Sequence, residues 1–598
     1  MSVKDKQRNE IDDKYKWDLS LFIKDDKEFN KLLKKAKKDA ENLLNYKGKI
    51  AKDSETLYNF LKENDENESL LEDLCVYSGL AFDEDTSVDA NKAKREKAEN
   101  LANDISEMHS FVMPELMKTP YKTIKKFIKE NKKLKEYEFY LETLYRYEKY
   151  ILSDKEEAII SKATSVFGTP REAFSALNNT DIKLGTIHDE KNKKVELTNS
   201  NYGIYMKSKN REVRKEAFEK MYSYWNNHIN TLSATYKGKV KENFFMSKVK
   251  KFEDPLAMSL YNDNINTKLY TSLIDQTNEN LDLMYEYMDL RKKSLGLSEL
   301  HMYDIYVDLI KGDNKKYSFE ECKSILFEAL KPLGKTYLND LQKAFDNRWI
   351  DIYPNKGKKS GAYKWCTYTS VPYVLLNYNE TLDSVSTAAH ELGHAMHSYY
   401  SNKNQSHVDA YYPIFLAEIA STVNEVLLND YLVKSAKTNK EKALFLNDML
   451  DTIRTTFYRQ VMFAEFEMIV HDAEKQGTPL TKDFLCNTYY DLNKKHFGDK
   501  VVSDEEIKYE WARTPHFYTS FYVYKYATGL SIAISFAKNL LEEKEGAREN
   551  YLKFLSSGGK DYPLEILKEA GIDLNNNNDI NKIFEFFKEK IEELKKII

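Results

Sequence analysis

His390-Glu391-Leu392-Gly393-His394 is the stretch on which the reading of this chain turns. Thr381 or Asp383 can cap a helix ahead of it, and Val385, Ala389, Leu392, Met396 and Tyr399 then share one apolar stripe. The spacing predicts a helix over 383–400. At ~100° per residue, His390 and His394 point away from that stripe, about 40° apart. Two imidazoles one turn apart on a common face can grip one metal ion, with Glu391 beside them. Gly393 sits inside the helix, where glycine costs ~1 kcal/mol against alanine. It therefore suggests that something packs close to that helix.

A metal site that does chemistry needs a third protein donor and an open position for water. His397 lies on the same face, but 390, 394 and 397 run nearly in line, rising about 10 Å along a straight helix. A line does not give tetrahedral angles at one ion, so packing suits His397 better. His407 does not stand at a metzincin-type spacing, because position 397 is His where that pattern needs Gly. Glu418 fits best. Its segment, expected as a helix over 413–430, starts at a helix-initiating Pro413 and is apolar around most of its circumference. Glu418, Thr422 and Glu425 form its one polar stripe, which predicts a buried carboxylate in need of a partner or a metal. Glu425 is read as holding a metal-bound imidazole in orientation. Two imidazoles plus one carboxylate suit a single Zn2+ ion.

Composition sets the frame around this site. The 19 Gly and 11 Pro residues among 598 make about 5%, against roughly 12% in average usage. So few breakers predict a mostly α protein, and 13% aromatic content excludes wholesale disorder. The 91 basic and 96 acidic residues are interleaved and give a net charge of −5. That is not the basic footprint of a nucleic-acid binder. No apolar run reaches the ~18 to 20 residues of a membrane span. Cys75, Cys322, Cys366 and Cys486 are widely spaced, which predicts thiols in a reducing compartment. Met1 to Arg8 contains no apolar core of a signal peptide. The expected location is cytoplasmic.

Along the chain, residues 1–200 read as an N-terminal helical lobe with a β-hairpin near 181–198, and 201–598 as the catalytic domain. The stretch 360–378 is rich in β-branched and aromatic residues and predicts a small sheet beside the 383–400 helix. Pro372 belongs there on an edge or at a strand start. An edge strand here could take up an extended peptide by main-chain hydrogen bonds, with Gly361, Ala362 and Tyr363 as contacts and Gly361 allowing close approach. Asn575 to Asn578 read as a polar loop, followed by a helix with Ile583, Phe587, Ile591 and Leu594 on its packed side.

Tyrosines crowd the segment 509–535. Thr514-Pro515 is a good helix start, from which Tyr518, Tyr522 and Tyr526 would fall on one face, with Tyr518 expected as a substrate contact. Phenols stay protonated at neutral pH and can donate to a developing oxyanion. His516, in the first turn, would be kept neutral by the helix dipole and still donate.

These pieces together resemble the thimet oligopeptidase family of zinc metallopeptidases, and within it the oligoendopeptidase F branch. The resemblance rests on His390-Glu391-Leu392-Gly393-His394, on Glu418-Ile419-Ala420-Ser421, and on Trp511-Ala512-Arg513-Thr514-Pro515-His516-Phe517-Tyr518. Trp17-Asp18-Leu19 and Ser360-Gly361-Ala362-Tyr363 also fit, so it spans nearly the whole chain. It implies one zinc ion held by His390, His394 and Glu418, with Glu391 as general base. It further implies a two-lobed helical fold enclosing a deep substrate channel, and cleavage of short unstructured peptides. His516 is implied as a substrate or transition-state contact, together with a catalytic tyrosine. Tyr522 and Tyr526 keep a four-residue spacing, although counting straight from His516 places Phe521 and Lys525 there. Other readings of the same residues are a zinc carboxypeptidase on a similar scaffold and a non-catalytic peptide-binding helical protein.

Overall fold

The scarcity of helix breakers has its expected result: 71% of the described residues are helical and the strands among them form only small sheets. The computed structural model describes residues 6–310, 315–574 and 578–598. Asn575 to Asn577 of the expected polar loop, and Met1 to Asp5, lie outside the described residues. Two compact units emerge, each assembled from three stretches of chain. One comprises Met1–Lys149, Lys315–Leu428 and Phe536–Ile572; the other comprises Tyr150–Asn314, Asn429–Ser535 and Asp573–Ile598. The units therefore do not follow the sequential division at residue 200. Compactness is decided by which faces pack together, and order along the chain does not reveal that.

In the first unit, Asp53 caps a 31-residue helix, Ser54–Glu84, by accepting the Thr56 N–H. Its apolar positions pack with the helices Asp26–Leu43 and Asp89–Met108 around Phe29, Leu74, Tyr77 and Ile105. A three-stranded sheet lies nearby. Its central strand Tyr373–Leu375 runs parallel to Ile350–Asp351 and antiparallel to Tyr363–Trp365, with Lys364 opposite Val374. Pro372 immediately precedes the central strand, as a residue without an N–H should. Trp17, Val76, Leu80, Tyr373 and Leu375 form one cluster, fixing the sheet to the long helix. Gly79 permits that contact, since a Cβ there would lie 2.6 Å from the Trp365 ring. Asp351 is buried between Lys358 and Arg8, at 2.7 and 2.6 Å. Burial would raise its pKa, but the two cations outweigh it and hold the carboxyl below its ordinary value.

The second unit contains the expected hairpin as Thr186–His188 paired with Lys194–Glu196, Ile187 opposite Val195. Ile583, Phe587, Ile591 and Leu594 of the last helix, Asn578–Lys595, are fully buried. Asp304 is also fully buried and accepts hydrogen bonds from Arg211 at 2.8 Å, Arg214 at 2.5 Å and the His301 N–H at 3.0 Å. All four cysteines are free thiols. Among the described residues no helix is long and apolar enough to cross a membrane.

The Asp304 network gives a stability prediction. Asp304→Ala leaves Arg214 buried without its counter-charge, so unfolding free energy should fall by about 3–5 kcal/mol. A urea titration followed by tryptophan fluorescence checks this as a lowered midpoint.

Candidate metal centre and tyrosine cluster

The helix bearing the two histidines spans Leu382–Asn404, and Thr381 caps it by accepting the Ser384 N–H at 3.2 Å. Val385, Ala389, Leu392 and Met396 are buried, whereas His390 and His394 stay partly open on the opposite side. The expected second helix is interrupted. A short turn, Ile414–Ala417, ends at Glu418, and a longer helix, Ile419–Ser435, starts after it. The Glu418 carbonyl still accepts the Thr422 N–H at 3.1 Å, so Glu418 stands at the head of the long helix and not in its middle. Its side chain is 50% exposed, which corrects the expectation of a buried carboxylate. An apolar circumference buries most of the helix, but the stripe carrying Glu418 and Glu425 faces the open side that the imidazoles share.

Close approach of the two helices brings the donors together. A Cβ on Gly393 would lie 2.6 Å from Ser421 Cα and 2.7 Å from the Ala420 carbonyl oxygen. Glycine is therefore required at 393 by contact with backbone. Asn424 adds a brace, its amide donating to the Ala389 carbonyl at 3.0 Å and its oxygen accepting from the Tyr337 hydroxyl at 3.4 Å. As a result His390 Nε2 and His394 Nε2 lie 3.2 Å apart, and each lies 3.4 Å from Glu418 Oε2. Donors ~2.0–2.1 Å from a tetrahedral ion stand roughly 3.3 Å apart. The observed triangle has that size. Among the described residues no other trio of His, Cys, Asp or Glu comes this close.

Glu425 Oε1 lies 3.0 Å from His390 Nδ1. A carboxylate can only accept here, so Nδ1 carries a proton and Nε2 is the nitrogen left facing the trio. Burial pulls the His390 pKa down, but Glu418 and Glu425 outweigh it and push it up to about 10. The same imidazoles hold Glu418 far below the usual carboxylate range. Burial raises Glu391 against the opposing pull of His394 and His390, and Glu418 adds to the rise.

His397 takes no part in the trio. It is fully buried and stacks face to face on Tyr412, with ring centroids 3.7 Å apart, and Phe554 lies on it at 5.0 Å. His407 is engaged by Asp65, 2.6 Å from its Nδ1. The sequence reading missed Lys364. Its ammonium donates to Ser398 Oγ at 2.7 Å, Ser398 meets the Tyr412 hydroxyl at 2.9 Å, and its charge acts on Glu391. Strand alternation, which puts Lys364 opposite in direction to Tyr363 and Trp365, was the available signal.

Tyr363–Trp365 is an edge strand, paired on one side only among the described residues. Tyr363 donates to Asp83 at 2.7 Å, Ala362 is half-buried, and the Gly361 carbonyl accepts from Asn377 at 2.7 Å. The reason for glycine at 361 is its φ of +84°, not close approach, since the space where a Cβ would sit is open.

In the second unit the expected helix from Thr514-Pro515 does not form. Pro515–Tyr518 is a single 3-10 turn, Phe521 takes φ +58°, and the helix starts at Tyr524. Tyr518 is thereby turned into the core. It is 6% exposed, stacks on Phe174 at 4.7 Å and shares a 2.7 Å hydrogen bond with Thr235. This corrects its assignment as a substrate contact. The left-handed residue still gathers the other three rings by a non-helical route. Tyr522 and Tyr526 lie 5.4 Å apart, and His516 lies 6.5 and 5.8 Å from them. His516 has its pKa lowered by burial and by Arg459, so these keep it neutral where a helix dipole was expected to.

A helical chain with His-Glu-x-x-His on one helix and a carboxylate from the next has the donor set of a metallopeptidase. The comparison with known proteins agrees, and this chain belongs to peptidase family M3. The model of "Peptidase family M3" matches residues 204–586, and that of "Oligopeptidase F" matches 115–183. The chain is 38% identical over 591 residues to Oligopeptidase PepF of Bacillus subtilis, covering 99% of this chain and 88% of that protein. It is 39% identical over 601 residues to an oligoendopeptidase F homolog of Borreliella burgdorferi, covering 99% of each. The crystal structure of oligoendopeptidase-F from Enterococcus faecium superposes with a TM-score of 0.73 at 32% identity, covering 96% of this chain and 99% of that one. The chain is thus a peptide-hydrolysing metallo-oligopeptidase.

Gly393→Val should force the Ala420–Ser421 backbone away and open the donor triangle without deleting a donor. Zinc affinity should fall roughly 10–100-fold, the size of effect seen when groups supporting a ligand are lost. Competition against a chromogenic chelator measures it, with circular dichroism confirming that the helices remain.

Proposed function

We propose that this chain is a zinc-dependent oligoendopeptidase that cuts internal bonds of short, unstructured peptides with Glu391 as general base. The observation that carries the reading is the triangle of 3.2–3.4 Å between His390, His394 and Glu418 donor atoms. These three residues would hold the ion, and Glu425 orients His390. Bound zinc supplies Lewis acidity, polarising a carbonyl and acidifying a water.

Glu391 Oε takes the proton from the attacking water and returns it to the leaving nitrogen, and its raised pKa suits a group that must both accept and release. His516, Tyr522 and Tyr526 would donate hydrogen bonds to the oxygen that gains charge in the transition state. The clustering of their rings, and neutral His516, support that role. The free edge of Tyr363–Trp365, entered from Gly361 and Ala362, would pair with an extended peptide backbone, which selects extended chains without demanding one sequence. Four free thiols support a reducing, cytoplasmic setting.

Zinc-loaded protein should cut a peptide blocked at both ends, and mass spectrometry should find internal fragments that vanish on chelation and return with Zn2+. Release of single C-terminal residues from unblocked peptides alone would mark a carboxypeptidase, and binding without turnover a non-catalytic protein. Glu391→Gln should retain stoichiometric zinc and lose hydrolysis by about 10²-fold or more. Glu418→Ala should lower zinc affinity sharply while His397→Ala leaves it, as metal titration would show; the reverse outcome would reject this ligand set.

A further inference from the structure

The turn that carries Tyr522 is held by an acid that the proposed hydrolytic steps do not use. Phe521, whose left-handed backbone an L-residue adopts only when its surroundings enforce it, is 2% exposed. Its N–H donates to Glu467 Oε1 at 3.0 Å, and its ring packs on His471 at 4.4 Å and Tyr270 at 5.7 Å. Glu467, on the helix Arg459–Lys475, is fully buried, and its second oxygen has no hydrogen-bond partner among the described residues. An apolar side chain at 467 would fill the space but leave the Phe521 N–H buried and unsatisfied.

The residue before Phe521 is anchored as well. His471, one turn beyond Glu467, donates from Nδ1 to the Glu467 carbonyl at 2.8 Å and accepts the Asn243 amide at Nε2, 3.1 Å away. The same Asn243 amide donates to Ser520 Oγ at 2.7 Å. Beyond the turn, Lys525 is paired with Asp263 at 2.7 Å. The strained residue is therefore held from both sides, and Tyr522 follows directly after it.

We propose that Glu467 is a positioning residue for peptide hydrolysis, its buried oxygen holding the Phe521 N–H in the left-handed turn that sets the Tyr522 ring against Tyr526 and His516. This rests on the reading of Tyr522 and Tyr526 as oxyanion donors. It predicts that Glu467 acts through Tyr522 and needs only to accept a hydrogen bond, so glutamine serves and leucine does not.

The test measures kcat, KM and zinc content for the full chain on an internally quenched peptide. Glu467→Leu should lower kcat about thirtyfold or more with KM within about twofold and one zinc per chain, while Glu467→Gln stays within about threefold of the parent. On a Tyr522→Phe background, Glu467→Leu should cost no more than about threefold further, because both changes disable the same hydroxyl. Should Glu467→Leu fail to fold, Asn243→Ala, which frees Ser520, should lower kcat with zinc retained. Full activity of Glu467→Leu or of Asn243→Ala, an equal loss in Glu467→Gln, or losses that multiply with Tyr522→Phe would overturn the proposal. Inactivity of the zinc-loaded parent toward every peptide would instead overturn the hydrolytic reading on which it stands.

Discussion

The contact of Gly393 with the Ala420–Ser421 backbone is the constraint on which the metal centre depends. His390 and His394 come one turn apart from any helix, but Glu418 reaches them only because the second helix lies against the first with no side chain between. The intrinsic penalty of a mid-helix glycine, ~1 kcal/mol, is offset where backbone meets backbone and Asn424 bridges to the Ala389 carbonyl. Three donor atoms thus meet at the spacing of one tetrahedral ion.

Charge at the site points the same way. Glu391, Glu418 and Glu425 crowd two imidazoles, with the Lys364 ammonium as the other cation acting on Glu391. Carboxylates so close repel one another, and a divalent cation among them relieves the repulsion. The raised His390 and the depressed Glu418 are two sides of one interaction. Glu391 is set apart from the other two by its burial, and that difference suits proton transfer better than ligation.

The tyrosine cluster is assembled by a departure from regular structure. A continuous helix from Pro515 would have stacked Tyr518, Tyr522 and Tyr526, leaving His516 on the preceding turn. Instead, Phe521 reverses the backbone, Tyr518 becomes core, and three half-buried rings meet. Local propensity loses here to the anchors on Glu467 and Asn243.

The motif at 390–394, its cap at Thr381, the hairpin, the small sheet and the packed face of the last helix were legible because each rests on local periodicity and capping. Glu418 and Glu425 were legible as partners through their shared stripe, although their exposure was not. The break at Glu418, the kink at Phe521 and the interleaving of three chain stretches in each unit were not legible. They are fixed by contacts between residues distant in sequence, 35 positions apart for Asn424 and Ala389, 54 for Glu467 and Phe521, and 277 for Asn243 and Ser520. What the sequence by itself determined is the set of chemical groups and the helices that bear them. Only the tertiary structure decided which groups meet, because that depends on how closely two backbones pack and on where a buried hydrogen-bond acceptor can hold a strained turn.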